Sequence, residues 1–228
     1  MSNFIEIKNL TKNYYNQKKK INVLKNLNFK FKKGFIYSLV GPSGSGKSTL
    51  LNILSLIDRP SNGNLIINKN KIDFNDVKLN DKIRSDYFGI IYQEKNLLSD
   101  FTAIENISFA GIANGKSLKE SIHISEKILK KLGLKNRSKH FPAELSGGES
   151  QRIAIGRALI NSPNIIIADE PSGNLDHKNA KEFFKLLFNL KSKNRIIIYA
   201  THNRYFANLA DCRLQLINGK LKSINARK

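Results

Sequence analysis

The chain has 228 residues, of which 40% are hydrophobic, so it is long enough to bury a core of its own as one large domain. It has no apolar run of the roughly 20 residues that a membrane-spanning helix needs, and its start lacks the pattern of a signal peptide. Its one cysteine, Cys212, excludes an internal disulfide, and we expect a cytoplasmic protein.

Apolar runs separated by polar or glycine-rich segments predict alternating strands and helices. The predicted strands are 5–10, 35–40, 65–67, 88–92, 165–168, 195–200 and a terminal strand at 213–217. The predicted helices are 48–56, 146–160 and 178–190, and the stretch 102–141 is mostly helical. This order predicts an α/β fold, with a mainly parallel sheet that helices cover on both faces. We expect one domain, with a core lobe (1–92 and 161–228) and an inserted helical subdomain (93–160).

The net charge of +21 favours anionic partners such as nucleic acid or anionic lipid. Lysine is spread along the whole chain, however, and Asn and Ile are also abundant, which indicates AT-rich codons as the main cause. The sequence also lacks helix-turn-helix spacing, zinc ligands and an aromatic RNA-binding strand. We therefore expect no specific nucleic-acid partner.

The segment after the predicted strand 35–40 matches the pattern G-x-x-x-x-G-K-S/T, in which glycines turn backbone N–H groups toward phosphate oxygens. Its residues are Gly41, Pro42, Ser43, Gly44, Ser45, Gly46, Lys47 and Ser48. We expect Lys47 to reach the β- and γ-phosphates of a nucleotide and the Ser48 hydroxyl to ligate Mg²⁺. The alternative is an ordinary glycine-rich turn, which the full match between a strand and a helix disfavours.

Two adjacent carboxylates follow the apolar strand 165–168, where a nucleotide site needs acidic groups. Asp169 suits a role near Mg²⁺, and Glu170 suits the general base that polarises the attacking water. The alternative is that the two carboxylates only cap a helix.

Residues 145–149, Leu-Ser-Gly-Gly-Glu, open the predicted helix 146–160. Ser146 and Glu149 have the spacing of a capping box, and capping is the simpler interpretation. The double glycine exposes backbone N–H groups at a positive helix end, which a cap does not require. The segment is therefore a candidate second phosphate site. Two phosphate-binding segments far apart in sequence suggest a nucleotide held between two copies of the chain.

The order of these motifs resembles that of an ATP-binding cassette (ABC) transporter ATPase. The resemblance covers essentially the whole chain and rests on residues 41–48, Gln93, 145–149, 165–170, 172–176 and His202. It implies a P-loop NTPase core with an N-terminal antiparallel β part, and an enzyme that hydrolyses ATP with Mg²⁺.

The resemblance also implies roles for single residues within one copy. Tyr14 is similar to the aromatic residue that stacks on adenine, and Thr49 belongs to the ATP site next to Ser48. Gln93 resembles the glutamine that touches Mg²⁺ and couples to the membrane partner, and His202 resembles the switch histidine that contacts the γ-phosphate. In the alternative interpretation Tyr14 is only a packed aromatic, and the two polar residues only cap strand ends.

Other roles implied by the resemblance involve a second copy in a homodimer. Ser146, Gly147 and Gly148, in one motif with Glu149, bind the γ-phosphate that the opposite subunit holds. Asp176 lies at the dimer seam, although it is also a candidate N-cap of the helix 178–190.

Residues 88–93 and 97–107 are similar to the segment that contains the glutamine and the residues after it in the lipoprotein-releasing (Lol) ATPases. In that family the segment contacts coupling helices of the membrane subunits. This implies an ATPase that drives lipoprotein release from the inner membrane, as a peripheral protein on its cytoplasmic face. The implied partners are permease subunits similar to those named LolC and LolE, bound through residues 94–107, without direct cargo contact. The alternatives are a macrolide-type exporter and an FtsE-like division ATPase, and Leu97, Leu98 and Phe101 are alternatively local core.

The chain departs from the family pattern at three places. Glu94, Lys95 and Asn96 replace the aromatic and histidine residues expected after the glutamine. Ser150 stands where a basic residue or Gln is usual, and Asn203 stands where Asp is commoner. None of these changes removes a catalytic group, and the first one bears on the membrane partner rather than on ATP hydrolysis.

Overall fold

The computed structural model describes residues 3–16, 19–93 and 96–226. The strands within these residues are β1 (Asn3–Asn16), β2 (Lys19–Lys32), β3 (Ile36–Val40), β4 (Asn62–Ile67), β5 (Asn70–Lys71), β6 (Phe88–Ile91), β7 (Ile165–Asp169), β8 (Ile196–Ala200), β9 (Cys212–Ile217) and β10 (Lys220–Ala226). The helices are α1 (Lys47–Leu54), α2 (Val77–Tyr87), α3 (Ala103–Ala113), α4 (Leu118–Lys131), α5 (Gly147–Leu159), α6 (His177–Asn189) and α7 (Arg204–Ala207). The chain forms two compact units, one of residues 1–84 and 191–228 and the other of residues 85–190.

The first unit contains an antiparallel sheet with the strand order β2-β1-β4-β5. β1 is longer than the predicted strand 5–10, and β2 was not predicted. The reason is that the β1–β2 pairing contains several register shifts, with Asn9 and Asn26 in the left-handed region at φ values of 51° and 52°. Bulges of this kind break the two-residue alternation by which a strand is recognised in a sequence.

The same unit contains three parallel strands, with β3 between β8 and β9. Residues 196–200 lie within the predicted strand 195–200 and are fully buried. The prediction that 213–217 is the terminal strand was wrong, because β10 follows it and pairs with β9 in antiparallel fashion. The turn is Asn218-Gly219, both with positive φ, and this dipeptide is a strong hairpin signal from which β10 could have been predicted.

The second unit contains the parallel pair β6 and β7 together with α3, α4, α5 and α6. The predicted helical stretch 102–141 consists of α3, α4 and a short 3-10 turn at Lys135–Arg137, and a second such turn, Pro142–Glu144, follows it. A buried apolar cluster holds the helices together, and it comprises Ala103, Ile107, Leu129, Leu134, Ile153 and Ile160. None of the helices within the described residues is both long and apolar enough to cross a membrane.

Candidate functional site

The phosphate loop of the first unit connects β3 to α1. Gly44 and Gly46 have φ values of 73° and 99°, a region that side chains other than glycine rarely adopt. Gly41 is required for a different reason, because a Cβ there would lie 2.3 Å from the carbonyl oxygen of Leu216 on β9. The tight turn that the sequence motif predicted therefore depends on backbone conformation at two glycines and on close packing at a third.

Lys47 is buried within this loop, and its ammonium donates to the carbonyl oxygens of Gly41 and Pro42 at 3.0 Å each. α1, all of which the structure describes, has no side-chain N-cap and no acidic residue in its first turn. The Ser45 hydroxyl oxygen is buried without a hydrogen-bond partner among the described residues. A buried cation, an uncapped helix start and an unsatisfied hydroxyl together fit an anion, and phosphate is the anion that this geometry suits.

His202 lies at the same edge of the first unit as the phosphate loop. β8 runs parallel to β3, and the Thr201 N–H donates to the carbonyl of Leu39 at 3.2 Å. Thr201 is buried, whereas His202 is exposed. Asn203 caps α7 by accepting from the backbone N–H groups of Tyr205 and Phe206. The departure from Asp at this position thus preserves an N-cap.

Tyr14 lies near the C-terminal end of β1 and is 42% exposed, so it is not a core aromatic. Its hydroxyl donates to the Asp58 carboxylate at 2.9 Å, and the Lys12 ammonium lies 4.9 Å from its ring centroid. Burial and the hydrogen bond to Asp58 raise the pKa of Tyr14, although the Thr49 side chain acts in the opposite direction. Tyr14 therefore contacts Thr49 of α1, which is one of the predicted ATP-site residues.

In the second unit, Gln93 and the two carboxylates follow neighbouring parallel strands. Ile91 of β6 pairs with Ala168 of β7, so the ends of the two strands lie at one edge. Glu170 has a φ of 43°, a left-handed conformation that costs about 1–2 kcal/mol for a residue with a Cβ. Such strain is concentrated at functional sites, which favours Glu170 as a catalytic group over a simple cap.

The start of α5 is a complete capping box. The Ser146 side chain accepts from the Glu149 N–H at 3.2 Å, and the Ser146 N–H donates to the Glu149 carboxylate at 2.8 Å. Arg137 donates to the same carboxylate at 2.8 Å. The Arg137 contact first, and then the Ser146 N–H, lower the pKa of Glu149 to about 2. Ser150, one of the departures, is buried and donates back to the Ser146 carbonyl, so it is part of the same helix start.

Asn179 of α6 joins this helix start to Asp176. A Cβ on Gly148 would lie 2.6 Å from the Asn179 side-chain oxygen, so the close approach requires glycine there. Asp176 is the N-cap of α6, since its carboxylate accepts from both the backbone and the side chain of Asn179. These hydrogen bonds, the backbone one first, lower the pKa of Asp176. The capping role considered for Asp176 is therefore present, and a seam role is compatible with it.

The segment that precedes α3 is organised by one buried amide. Asn106 donates to the carbonyl oxygens of Leu98, Phe101 and Thr102 and accepts from the Leu98 N–H at 2.7 Å. Leu97 packs against the apolar cluster, whereas Leu98 and Phe101 are 48% and 38% exposed. The local-core interpretation thus holds for Leu97 alone, and Glu94 and Lys95 lie outside the described residues.

The combination of motifs matches that of a known protein family. The model of the ABC transporter family matches residues 24–173, a span that includes the phosphate loop, the start of α5 and Glu170. The chain belongs to the ABC transporter family. The lipoprotein-releasing system ATP-binding protein LolD of Rickettsia bellii is 45% identical to this ABC chain over 97% of it and 99% of the relative. The protein of the same name from Wigglesworthia glossinidia brevipalpis is 42% identical over 97% of both chains.

Solved structures support the same assignment for the fold of this ABC chain. The dimeric structure of the bacterial ABC transporter cassette MJ0796 has a TM-score of 0.89 and 36% identity, and it covers 98% of this chain and 99% of its own. A second MJ0796 structure, a dimeric post-hydrolysis state bound to ADP and Pi, has the same TM-score at 35% identity. The predicted family, the predicted resemblance to the lipoprotein-releasing ATPases and the predicted P-loop NTPase fold are confirmed.

Sequence reasoning missed several residues that support these motifs in the ABC chain, namely Lys12, Asp58, Arg137 and Asn179. A signal existed only for Asn179, because Asp176-x-x-Asn179 has the N-cap spacing of a helix start. The other three act through contacts with residues at least 12 positions away, for example Lys12 with Asp58 and Arg137 with Glu149. No local pattern in the sequence indicates such pairs.

Proposed function

We propose that this chain is the ATP-hydrolysing subunit of an ABC complex that drives release of lipoproteins from the inner membrane toward the outer membrane. The observation that carries the proposal is the similarity to LolD proteins, at 45% and 42% identity over almost the whole chain. These relatives do not favour the macrolide-type or the FtsE-like alternative. ATP hydrolysis is what the family membership assigns to a chain of this kind.

In this proposal the first unit binds one ATP molecule. The phosphate loop, Gly41 to Ser48, wraps the phosphates with its backbone N–H groups, and Lys47 moves from its own loop carbonyls to phosphate oxygens. Tyr14 stacks on the adenine, and Thr49 lies beside it. His202 contacts the γ-phosphate from the edge that β8 shares with β3.

The Mg²⁺ that accompanies ATP would be held by oxygen atoms of Ser48, Gln93 and Asp169. A hydroxyl, an amide carbonyl and a carboxylate are the hard ligands that Mg²⁺ prefers, so the donor set fits the ion. When bound, Mg²⁺ supplies neutralisation of phosphate charge. Glu170 accepts a proton from the attacking water while the water oxygen bonds to the γ-phosphorus and ADP leaves with the bridging oxygen.

The chain acts as a homodimer in which each copy completes the site of the other. Ser146, Gly147 and Gly148, with Glu149 holding the helix start in shape, bind the γ-phosphate of the ATP on the opposite copy. The Ser146 oxygen accepts from the Glu149 N–H, which leaves its own O–H free to donate to phosphate. Asp176 lies at the seam. Tighter binding of ATP than of ADP by the closed dimer supplies the work.

The permease partners, similar to those named LolC and LolE, bind through residues 94–107 on the cytoplasmic face of the inner membrane. The exposed Leu98 and Phe101 supply apolar contact area, and Asn106 keeps their loop in place. We propose the domain division that the sequence predicted, with a core lobe of 1–92 and 161–228 and a helical subdomain of 93–160.

The test is a pull-down of tagged Glu170→Gln protein from native membranes with ATP present, followed by mass spectrometry. This variant is expected to bind ATP while its turnover falls by about 10²–10⁴-fold, because the general base is lost. It therefore accumulates the closed dimer with its partners. The double variant Lys47→Ala/Glu170→Gln is the matched control, since it lacks the phosphate-binding ammonium.

Recovery of two membrane proteins with large extracytoplasmic domains, together with lipoproteins, supports the proposal. Recovery of a division-type partner, or of one exporter subunit with an outer-membrane channel, contradicts lipoprotein release and leaves ATP hydrolysis in place. Turnover like that of the wild type in Glu170→Gln would contradict the general-base role.

A further inference from the structure

The end of β1 is attached to the segment that follows α1. The Ser61 N–H donates to the Thr11 carbonyl at 2.8 Å, and the Asn13 N–H donates to the Ser61 hydroxyl at 3.0 Å. Tyr14 is the next residue along β1. Its backbone is therefore fixed against the chain that leaves the phosphate-loop helix.

A nearly buried ion pair lies at the centre of this attachment. The Lys12 side chain is only 10% exposed, and its ammonium donates to the Asp58 carboxylate and to the Arg59 carbonyl, both at 2.7 Å. A buried ammonium is costly unless it is paired and hydrogen-bonded, and both conditions are met here. Asp58 is thereby held in one position by Lys12 and by the Arg59 N–H, which donates to it at 2.7 Å.

The second oxygen of the Asp58 carboxylate accepts from the Tyr14 hydroxyl at 2.9 Å. The Lys12 ammonium lies over the same ring, 4.9 Å from its centroid, in a cation–π arrangement. Lys12 and Asp58 therefore constrain the Tyr14 ring at its hydroxyl end and on one face. Tyr14 is nevertheless 42% exposed, which leaves surface that a planar base can contact.

We propose that Asp58, supported by Lys12, is a positioning residue for the nucleotide base: it holds the Tyr14 hydroxyl so that the ring is preorganised for stacking. The inference rests on the proposed function, because it assumes that Tyr14 meets the base of ATP. Without the hydroxyl contact the exposed ring samples other rotamers, and ordering it again costs binding free energy. Asp58 follows α1, the helix that begins in the phosphate loop. The contacts to the base and to the phosphates are therefore both positioned by α1 and the residues that follow it.

The experiment measures binding of ATP and of inorganic triphosphate by calorimetry. Tyr14→Phe keeps the aromatic ring and removes only the hydroxyl, so it is expected to weaken ATP binding by about three- to tenfold, the value of one hydrogen bond. Triphosphate has no base, so its affinity is expected to stay within twofold of the wild type. Tyr15→Phe is the matched control, since Tyr15 is 72% exposed on the same strand, and it is expected to bind both ligands like the wild type.

A second variant tests Asp58 itself. Asp58→Asn keeps the shape but removes the charge that pairs with Lys12, so it is expected to lower ATP affinity more than Tyr14→Phe does. In the double variant the two losses are expected to be clearly less than additive, because both changes act on one contact. A thermal melt shows whether Asp58→Asn is folded, and the Tyr14→Phe result stands independently of it.

Three outcomes would overturn the inference. One is ATP affinity of Tyr14→Phe equal to that of the wild type, and another is an equal loss of triphosphate affinity, which would indicate a general disturbance of the loop. The third is an equal effect of Tyr15→Phe. A folded wild-type protein that binds triphosphate but not ATP would instead contradict the proposed function, since the base would have no site.

Discussion

Two helices of the protein begin with glycine-rich segments, and the two segments differ in what satisfies the helix start. α1 follows the phosphate loop and has Gly46 as its N-cap, without any side-chain hydrogen bond to its first turn. α5 begins after Ser146, which forms a reciprocal capping box with Glu149 that Arg137 reinforces. The start of α1 is therefore open to an anion from outside the chain, whereas the start of α5 already has the Glu149 carboxylate.

The contrast fits the different roles that we propose for the two glycine motifs. At α1 the backbone N–H groups and the buried Lys47 lack an acidic partner in the first turn, so the proposed phosphate would complete the site within one chain. At α5 the Glu149 carboxylate already accepts from the Ser146 N–H, so the proposed contacts to phosphate come from the Ser146 hydroxyl and the two glycines that follow it. A start of this kind suits a secondary contact made to a nucleotide that another subunit holds.

The largest effect is expected from Lys47→Ala, which removes the cation from the open helix start. Losing its charge-assisted hydrogen bonds is expected to weaken ATP binding by roughly a hundredfold. Calorimetry measures this, with Lys131→Ala on the exposed end of α4 as the control for charge alone. Unchanged affinity would show that the phosphate loop does not bind ATP.

Glycine substitutions in the phosphate loop test its geometry. Gly41→Ala drives a Cβ to 2.3 Å from a backbone oxygen and is expected to cost about 3 kcal/mol of unfolding free energy. Gly44→Ala meets no atom within 4 Å and carries only the strain of its positive φ, about 1 kcal/mol. Urea unfolding distinguishes the two values, and equal losses would mean that the β9 contact is not important.

Substitution of two N-cap serines distinguishes a capping role from a phosphate-binding role. Ser146→Ala and Ser117→Ala each remove a side-chain acceptor from a helix start, and each is expected to cost about 1 kcal/mol of stability. In the Glu170→Gln background, only Ser146→Ala is expected to reduce ATP-dependent dimer formation, measured by light scattering. If both variants dimerise alike, Ser146 is only a cap.

The smallest effect is expected on the pH dependence of stability, through the Glu149 carboxylate at the start of α5. The pKa of Glu149 is lowered to about 2 in the folded chain from an ordinary 4.5, so its charge stabilises the fold fully above pH 4.5. This contribution is lost as the pH falls from 4.5 toward 2. Arg137→Gln is expected to raise the pKa of Glu149 and to shrink the pH-dependent part of stability, measured as urea midpoints from pH 6 to pH 3. A pH profile identical to that of the wild type would contradict the role of Arg137.

The phosphate loop, the carboxylates after β7 and the order of the motifs could be predicted from the sequence, because each is a local pattern in which neighbours along the chain act together. The sequence also indicated the buried strands, since residues 165–168 and 196–200 are continuous apolar runs. These features were enough to predict the family and the fold.

The contacts that support the site residues could not be predicted from the sequence. The bulged β1–β2 pairing, the Lys12–Asp58–Tyr14 contacts and the Arg137–Glu149 pair all join residues that are distant along the chain. The sequence also did not indicate that Leu97 packs inward while Leu98 and Phe101 are exposed. Such choices depend on packing and on the burial of charged groups, and a linear pattern contains neither.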